Sequence, residues 1–388
     1  MQSTVSRLLT PFHRLLQTVL FPAIEVQLGP LSESHRQLVR ILALVEVESL
    51  VMPSTRGVGR PARHRRAIAR AFVAKAVFNL ATTRQLLDRL LADDLLRRLC
   101  GWESAAELPH ESQFSRAFAE FAASQLPQRM HAALIEATQK ERLIGHISRD
   151  STAIEVREKP APAAVEIKPV AADKRKPGRP KKGEIVPPPE PRRIDRQREM
   201  TLDQMLGELP RLCNAGAKRN SKGYTKSWIG YKLHIDAADG QIPISCILTS
   251  ASLHDSQAAI PLAEMTARRV TNLYDLMDSA YDAEAIHLHL RSLGRVAIID
   301  RHPHGRAELK AELEAEQRRR RLLAFSTAED LRYRERTTVE RVNARLKDEF
   351  GGRTVRVRGH LKVMCHLMFG ILALTADQIL RLIPPLNC

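Results

Sequence analysis

Residues 229–250 read IGYKLHIDAADGQIPISCILTS, and this stretch decides the fold. In its first half, apolar and polar side chains alternate, which is the pattern of a half-buried strand. Asp239 and Gly240 then form a tight-turn signal, and residues 242–250 return as a second strand. The two strands are therefore predicted to form a β-hairpin.

Helix and strand signals alternate after the hairpin. The periodicity predicts a helix over Ser256–Arg269, a strand that ends near Asp278, a helix over Ala283–Leu293 and a buried strand over Arg295–Asp300. Antiparallel strands followed by a β-α-β unit indicate the α/β class. Leu143–Val156 is expected to supply one further strand earlier in the chain.

The chain before Leu143 is expected to be helical. Leu-rich amphipathic segments such as Ala67–Leu80 and Thr83–Leu99 occur there, and strand signals are nearly absent. Ser112 is expected to begin a helix that carries Phe114 and two further phenylalanines on one side. Such a helix pair is either a DNA-reading helix-turn-helix or an ordinary packed hairpin, and the sequence favours neither.

Residues 157–196 differ in composition from the rest of the chain. They hold nine of the 22 prolines and twelve Lys or Arg, with no aromatic residue, so this segment is expected to be extended or disordered. Inside it, residues 174–182 (KRKPGRPKK) resemble an AT-hook, in which Arg179 would enter a narrow minor groove. A solvated linker with incidental charge is the alternative.

These features divide the chain into four predicted parts. They are a helical N-terminal DNA-binding domain (1–140), the first strand of a core domain (141–156), a Pro/Lys/Arg-rich linker or insertion (157–221), and the rest of the core with C-terminal helices (222–388). A chain of 388 residues is long enough for two or three units, at least one with a large hydrophobic core.

The chain is strongly basic. Its 61 Lys and Arg exceed its 44 Asp and Glu, for a formal charge of +17 that is spread through helices and linker alike. Nucleic acid is therefore the expected partner, with a merely soluble basic protein as the alternative.

Cysteine usage and hydropathy favour a cytoplasmic protein with no membrane partner. The five scattered cysteines form no Cys-x-x-Cys pair and predict neither a disulfide framework nor a zinc site: Cys100, Cys213, Cys246, Cys365 and Cys388. Arg7, His13 and Arg14 interrupt the N-terminal apolar residues, so no secretory signal is expected. Val363–Ala376 is uncharged, but its 14 residues fall short of the ~20 that span a bilayer, which predicts a buried helix.

The sharpest functional signal lies in residues 333–347, YRERTTVERVNARLK. On a helix, four polar side chains share a stripe roughly 60° wide: Tyr333, Arg336, Glu340 and Lys347. The adjoining flank is apolar: Val339, Val342, Leu346 and Phe350. A carboxylate would thus stand between two cations at the rim of the core. An ordinary surface ion pair between Arg336 and Glu340 is the alternative.

Two aspartates are predicted at the carboxyl ends of strands. Asp278 closes a short apolar strand, and Asp150 occupies a similar position before the linker. Sheets of the α/β class place their functional sites at these ends. The alternative is that Asp278 or Asp282 only caps a helix, and for Asp282 this is the preferred interpretation.

Convergence of Asp150, Asp278 and Glu340 would suit phosphodiester chemistry. Two hard divalent cations, Mg²⁺ or Mn²⁺, activate an attacking hydroxyl and stabilise the leaving oxygen. They prefer carboxylate oxygens, whereas His and Cys select softer metals. The three acids are therefore predicted to be catalytic residues and ligands of two metal ions.

The same residues resemble a known family, the DDE transposases of bacterial insertion sequences. Four residues match its Tyr-x2-Arg-x3-Glu-x6-Lys signature: Tyr333, Arg336, Glu340 and Lys347. Asp150-Ser-Thr is similar to the first Asp motif of the family, and Asp278-Ser-Ala-Tyr-Asp is similar to its Asp-x-Gly-Tyr-Asp motif, with Ala280 in place of glycine. Shorter similarities begin at Gly59 (GRP), Ser112 (SQFS), Gly230 (GYKLH) and Ala251 (ASLHD).

The resemblance implies an RNase H-like mixed sheet with flanking helices, preceded by an all-helical N-terminal domain. It implies metal-dependent cleavage at transposon ends, followed by attack of the freed 3′-hydroxyl on target DNA. Tyr333, Arg336 and Lys347 would contact phosphates near the cut. The expected partners are the terminal inverted repeats and target DNA, both double-stranded, bound by a homodimer in the bacterial cytoplasm with the nucleoid.

Affinity for DNA is expected from basic segments outside the catalytic residues. These are the helical N-terminal domain, the tract at residues 174–182 with Arg179, and the cluster Arg318–Arg321, of which Arg318 and Arg319 are predicted contacts. Binding through phosphate charge would be sensitive to salt. Two other functions stay open at this point: a structure-selective nuclease or resolvase on the same fold, and a DNA-binding protein that does not cut.

Overall fold

The computed structural model of the protein describes residues 11, 15–51, 64–162, 191–219, 223–301, 303 and 305–382. Eight helices lie in the N-terminal part of these ranges: α1 Phe21–Leu28, α2 Glu33–Val45, α3 Val47–Leu50, α4 Arg65–Val77, α5 Thr83–Ala92, α6 Asp94–Cys100, α7 Glu111–Ala123 and α8 Leu126–Gln139. The elements that follow are β1 Leu143–Glu155, α9 Arg193–Arg196, α10 Leu202–Glu208, β2 Asn214–Arg219, β3 Thr225–Ala238, β4 Ile242–Ser250, α11 Ala259–Ala267, β5 Thr271–Met277, α12 Glu284–Ser292, β6 Val296–Ile299, α13 Ala307–Leu322, α14 Ala328–Tyr333, α15 Thr337–Asp348 and α16 His360–Arg381. The AT-hook-like tract with Arg179, the GRP motif at Gly59 and Cys388 lie outside the described residues.

The described N-terminal residues are helical, as predicted, but two helix boundaries differ. The predicted helix Thr83–Leu99 is divided at Asp93, whose carboxylate accepts the backbone N–H of Leu96 (3.0 Å) and so begins α6. Helix α7 begins after His110 and not at Ser112, because the His110 ring accepts the backbone N–H of Ser112. The three phenylalanines of α7 are buried, as predicted.

The six strands form one mixed sheet. In the order β4-β3-β1-β5-β6, the first three strands run antiparallel and the last three parallel, while β2 pairs with the N-terminal end of β3. Strands β3 and β4 are the predicted hairpin. Helices α15 and α16 pack on one side of the sheet, and α11 and α12 on the other. The predicted class, a mixed α/β sheet of RNase H type with flanking helices, is confirmed.

Two strands differ from their predicted burial. Strand β3 is buried on both faces and not on one, because helices cover both sides of the sheet: His234 and Asp236 are as inaccessible as Leu233. Strand β6 was expected to be buried, but it is the edge strand, and Val296 is 52% exposed. Alternation in the sequence therefore reports burial only where one face of a strand meets solvent.

Residues 191–219 belong to the folded core, which corrects the predicted end of the linker at residue 221. They contain α9, α10 and β2. Ile194 and Met205 are buried in the cluster that α11 and α12 form on their side of the sheet. Strand β2 has little apolar character of its own, but it adds hydrogen bonds along the exposed end of β3.

The C-terminal helix α16 is the centre of the main hydrophobic core. Its Phe369 stacks on Phe72 of α4, with ring centroids 5.6 Å apart, and Phe121 of α7 meets the same ring edge-on. At 22 residues the helix is long and apolar enough to cross a membrane, but 89% of its apolar stretch is buried inside the protein. The prediction of a buried helix is confirmed, and this helix joins the N-terminal helices and the sheet in one core.

A buried ionic network crosses the sheet beneath its surface. Arg149 of β1 donates to both carboxylate oxygens of Asp236 on β3 (2.7 Å each) and to Asp275 on β5 (3.2 Å), and these three side chains are fully buried. Thr266 of α11 donates to Asp236 (2.7 Å), and Asn272 donates to Asp275 (3.0 Å). Burial alone would lower the pKa of Arg149, but the two carboxylates raise it. The network therefore joins three strands through one cation.

Candidate active site

Alternation along β1 points Asp150 at helix α15. On the same face of the strand, Ser148 donates to the carbonyl oxygen of Glu335 (3.0 Å), and Thr152 accepts from the ammonium of Lys347 (2.6 Å). Both contacts reach the segment that runs through the 3-10 turn Arg334–Arg336 into α15. Asp150 lies between these two anchors and therefore faces that segment.

Strand register places Asp278 beside Asp150. Strands β1 and β5 are parallel, and Ser148 pairs with Leu276. Two residues further along each strand stand Asp150 and Asp278, and the backbone of Asp278 is still extended (φ −79°, ψ 174°). Since paired residues of parallel strands point to the same face, both carboxylates lie on the side covered by α15.

Asp278 caps a turn, whereas Asp282 does not occupy the helix-capping position predicted for it. Asp278 accepts the backbone N–H of Ala280 (3.0 Å) and caps the 3-10 turn Ser279–Tyr281. One carboxylate oxygen serves this bond, and the other is left for a ligand. The interpretation of Asp282 as a helix cap is wrong, because Ala283 precedes α12 without a side-chain cap and Asp282 faces the ring of His287 (3.5 Å).

The carboxylate of Asp150 is held in an environment that disfavours its charge. Burial raises the pKa of Asp150 to about 6, and the neighbouring carboxylates of Asp278 and Asp255 add to the increase, while Lys218 opposes it. A divalent cation would relieve this repulsion, because it supplies positive charge where two or more acids meet.

In metal-free buffer, Asp150→Asn is expected to raise thermal stability at about pH 8 and to leave it unchanged near pH 4. The folded-state pKa of about 6 lies above the ordinary 3.8, so the ionised carboxylate destabilises the fold above about pH 6, and this cost disappears as the acid becomes protonated. The gain at the higher pH should be at most roughly 3 kcal/mol. Thermal melts of both proteins at the two pH values measure it. A lower melting temperature for the variant at about pH 8 would show that the charge is not disfavoured.

Glu340 lies on α15 and is bound to Arg336. The guanidinium of Arg336 donates to Glu340 (2.7 Å) and lies over the ring of Tyr333, 5.8 Å from its centroid. Burial alone would lower the pKa of Arg336, but Tyr333, Glu340 and Asp150 raise it. Arg336 therefore stands within electrostatic reach of both Glu340 and Asp150. The predicted apolar flank is buried, as Val339, Val342, Leu346 and Phe350 show.

The donors on this face fit hard divalent cations. Asp150 lies in the middle of β1 and not at its carboxyl end as predicted, and Asp278 directly follows β5 beside it. Both present carboxylate oxygens, and Glu340 presents a third from the helix above them. Among the described residues, no three acidic, His or Cys side chains are already gathered at metal-binding distance. One carboxylate oxygen of Glu340 accepts from Arg336 in this structure.

Two further residues were not singled out from the sequence. Asp255 follows β4, accepts from Lys232 of β3 (2.9 Å), and lies within electrostatic reach of Asp150. Burial alone would raise the pKa of Asp255, but His234, Lys232 and a hydrogen bond from Ser151 keep it below its ordinary value. Both residues fall in short motifs, GYKLH and ASLHD, yet their pairing arises only when β3 and β4 close.

A pair of lysines marks the other side of Asp150. Lys218 of β2 and Lys226 of β3 stand directly opposite one another in the antiparallel register. Like charges at such positions destabilise a sheet, and the ion pair of Lys226 with Glu155 (3.1 Å) offsets part of this repulsion. Lys226 also lowers the pKa of Lys347, after the larger effects of burial and Arg353. No spacing signal in the sequence brings Lys218 and Lys226 together.

The predicted basic cluster lies on α13. Arg318 donates to the backbone of its own helix, and Arg319 pairs with Glu316 (3.3 Å). Arg319 also lines a cleft of about 910 Å³ whose other walls include Asp300 and Tyr333. This part of the cluster therefore borders the same strand ends as the acids.

Comparison with family models identifies two transposase domains in this chain. Residues 144–376 match the family model described as Transposase DDE domain, and residues 27–120 match one described as Transposase domain (DUF772). Neither the curated proteins nor the solved structures contain a match to this chain. The first match begins at the second residue of β1, ends within α16, and includes Asp150, Asp278 and Glu340.

Proposed function

This chain belongs to the transposases with a DDE domain, enzymes that cut and transfer DNA, and we propose that Asp150, Asp278 and Glu340 are its catalytic acids. The observation that carries the proposal is the register of β1 and β5, which sets Asp150 and Asp278 side by side under the helix that bears Glu340. The proposed reaction is cleavage at the ends of the mobile element, followed by attack of the freed 3′-hydroxyl on target DNA.

Transposases of this family use divalent metal ions, and the proposed cofactor here is a pair of Mg²⁺ or Mn²⁺ ions held by the three acids. When bound, such ions lower the pKa of the attacking hydroxyl and stabilise the leaving oxygen. Asp150 and Asp278 would hold the metal ions close to the scissile phosphate. Glu340 would supply the third carboxylate, and Arg336, which is bonded to it, would face the phosphate.

The cations around the acids are proposed to orient the DNA backbone. Tyr333, Arg336 and Lys347 would contact phosphates near the cut. Lys218 on β2 and Lys226 on β3, which stand opposite one another, would contact the DNA backbone further from the cut. Neutralising phosphates with these side chains makes binding sensitive to salt. In this arrangement the carboxylates and their metal ions would lie at the scissile phosphate, and the cationic side chains would bind the neighbouring phosphates.

Affinity is proposed to come also from parts of the chain away from the acids. These are the predicted DNA-binding domain at residues 1–140, the tract 174–182 with Arg179, and Arg318 and Arg319 on α13. The DNA complex is proposed to contain a homodimer, and the protein is proposed to act in the bacterial cytoplasm with the nucleoid. The DNA partner itself follows from the family.

Cleavage and strand-transfer assays test the proposed function. The substrate is a duplex taken from the inverted repeats that flank the coding region, with Mg²⁺ or Mn²⁺ as the cofactor. A transposase is expected to nick at the repeat boundary and to join that end to a second DNA. Cutting that depends on DNA structure and not on the repeats would indicate a nuclease or resolvase. Binding without cutting in either metal would indicate a DNA-binding protein.

A further inference from the structure

Strand β6 ends in an aspartate just as β5 does. Met277 pairs with Ile299 in the parallel register, so the next residues, Asp278 and Asp300, are neighbours at the carboxyl ends of adjacent strands. Asp300 thus extends the row that Asp150 and Asp278 begin. It is solvent-exposed, and no motif in the sequence singles it out.

The hydroxyl of Tyr333 donates to Asp300 at 2.6 Å. A phenol has a single proton to donate, and a phosphate offers only acceptor oxygens. While Asp300 accepts that proton, Tyr333 cannot donate it to DNA. The carboxylate and a phosphate are therefore competing acceptors for one hydroxyl.

The other two side chains proposed to contact phosphates are also bonded within the protein. Arg336 donates to Glu340 (2.7 Å), and Lys347 donates to Thr152 (2.6 Å). In the DNA-free enzyme each of the three donors has an internal acceptor. Arg336 and Lys347 keep further N–H donors that a phosphate can use, whereas Tyr333 has a single proton, so DNA binding must exchange the acceptor of Tyr333. That acceptor is a charged carboxylate, which resists the exchange.

The surroundings of Asp300 allow DNA to reach this hydrogen bond. Asp300 and Tyr333 line the 910 Å³ cleft together with Ser279, Arg301 and Arg319. The cleft is lined by four arginines, which attract a phosphate, and by five acids, which repel it, and Asp300 is one of these acids. Asp300 thus opposes DNA both by its charge and by its hold on Tyr333.

We propose that Asp300 is a positioning residue that holds the Tyr333 hydroxyl in the free enzyme and gives it up to a DNA phosphate. This inference rests on the proposed contact between Tyr333 and DNA. It makes the affinity of the enzyme for DNA depend on a residue that does not itself bind DNA. The part of its effect that exceeds simple charge repulsion must then pass through the Tyr333 hydroxyl.

A double-mutant cycle tests this inference. Asp300→Asn keeps the shape but weakens the acceptor, and Tyr333→Phe removes the hydroxyl. Glu312→Gln is the matched control, because Glu312 is an exposed acid of the same cleft. The full-length proteins are titrated into a labelled duplex of about 30 base pairs, roughly three helical turns, at one fixed salt concentration.

Asp300→Asn is expected to tighten binding about fivefold with Tyr333 present and less than about twofold in the Tyr333→Phe background. Glu312→Gln should have the same small effect, at most about twofold, in both backgrounds. If Asp300→Asn tightened DNA binding equally in both backgrounds, Asp300 would act only by repelling DNA through its charge, and the inference would be overturned. No tightening with Tyr333 present would overturn it as well.

The single variant Tyr333→Phe separates this inference from the proposed function. If Tyr333→Phe weakens binding but Asp300→Asn does not tighten it, only the role of Asp300 is wrong. If Tyr333→Phe binds DNA as the wild type does, the proposed contact of Tyr333 with DNA is wrong, and the inference about Asp300 is overturned with it. Circular dichroism of each variant checks that the fold is retained.

Discussion

Asp278→Asn is expected to slow DNA cleavage about a thousandfold, which corresponds to roughly 4 kcal/mol of transition-state stabilisation. The amide keeps the size of the side chain, and its oxygen can still accept the N–H of Ala280, so the turn after β5 should persist. It lacks the negative charge that hard divalent cations require of their ligands. Single-turnover cleavage of a duplex that contains one element end, in Mg²⁺ and then in Mn²⁺, measures the loss.

Asp282→Asn is the matched control for that experiment. Asp282 lies four residues beyond Asp278, after the same turn, and it faces His287 and not the catalytic face. Its replacement should change the cleavage rate less than about threefold, and both variants should bind the duplex within about twofold of wild type. Cleavage by Asp278→Asn at the wild-type rate would remove Asp278 from the catalytic set while leaving the family assignment intact.

The elements near the acids were predictable because their signals are local. The alternation in β3, the Asp239-Gly240 turn and the apolar run before Asp278 each lie within a few residues. The stripe and apolar flank of residues 333–347 survive although the helix is interrupted by the 3-10 turn Arg334–Arg336, since that turn keeps helical dihedrals. The wrong boundary at Ser112 arose because the ring of His110 caps the helix instead, and near Asp282 the helix begins one residue later, after Ala283.

The remaining features depend on contacts between distant parts of the chain. Strand β2 reads as a polar linker, and only the free end of β3 gives it hydrogen-bond partners. Asp255 approaches Asp150 because β4 turns back beside β3, and Asp300 becomes a neighbour of Asp278 because β6 adds in parallel to β5. Register across a sheet is a property of the whole fold, so no spacing within the sequence reports it.

The network around Arg149 joins β1, β3 and β5. Its loss should cause the largest decrease in stability in the described chain outside the apolar core. Arg149→Met is expected to lower the free energy of unfolding by about 3–5 kcal/mol, because Asp236 and Asp275 then keep buried charges without a cation bonded to both. Urea denaturation followed by circular dichroism measures the change. Arg192→Met is the control: Arg192 pairs with Asp195 through two hydrogen bonds on the surface, and its removal should cost less than about 1 kcal/mol.

A combined variant distinguishes an unpaired charge from lost packing as the cause. If uncompensated carboxylates are responsible, adding Asp236→Leu and Asp275→Leu to Arg149→Met should restore most of the lost stability, since buried ion pairs stabilise little more than apolar side chains of similar volume. If the triple variant stays as unstable as the single one, packing around Arg149 is responsible. If stability is restored, the network matters for position more than for energy, because it ties β1 to β5, where Asp150 lies beside Asp278. A stable triple variant that cuts DNA slowly would show that the buried cation serves the active site through register alone.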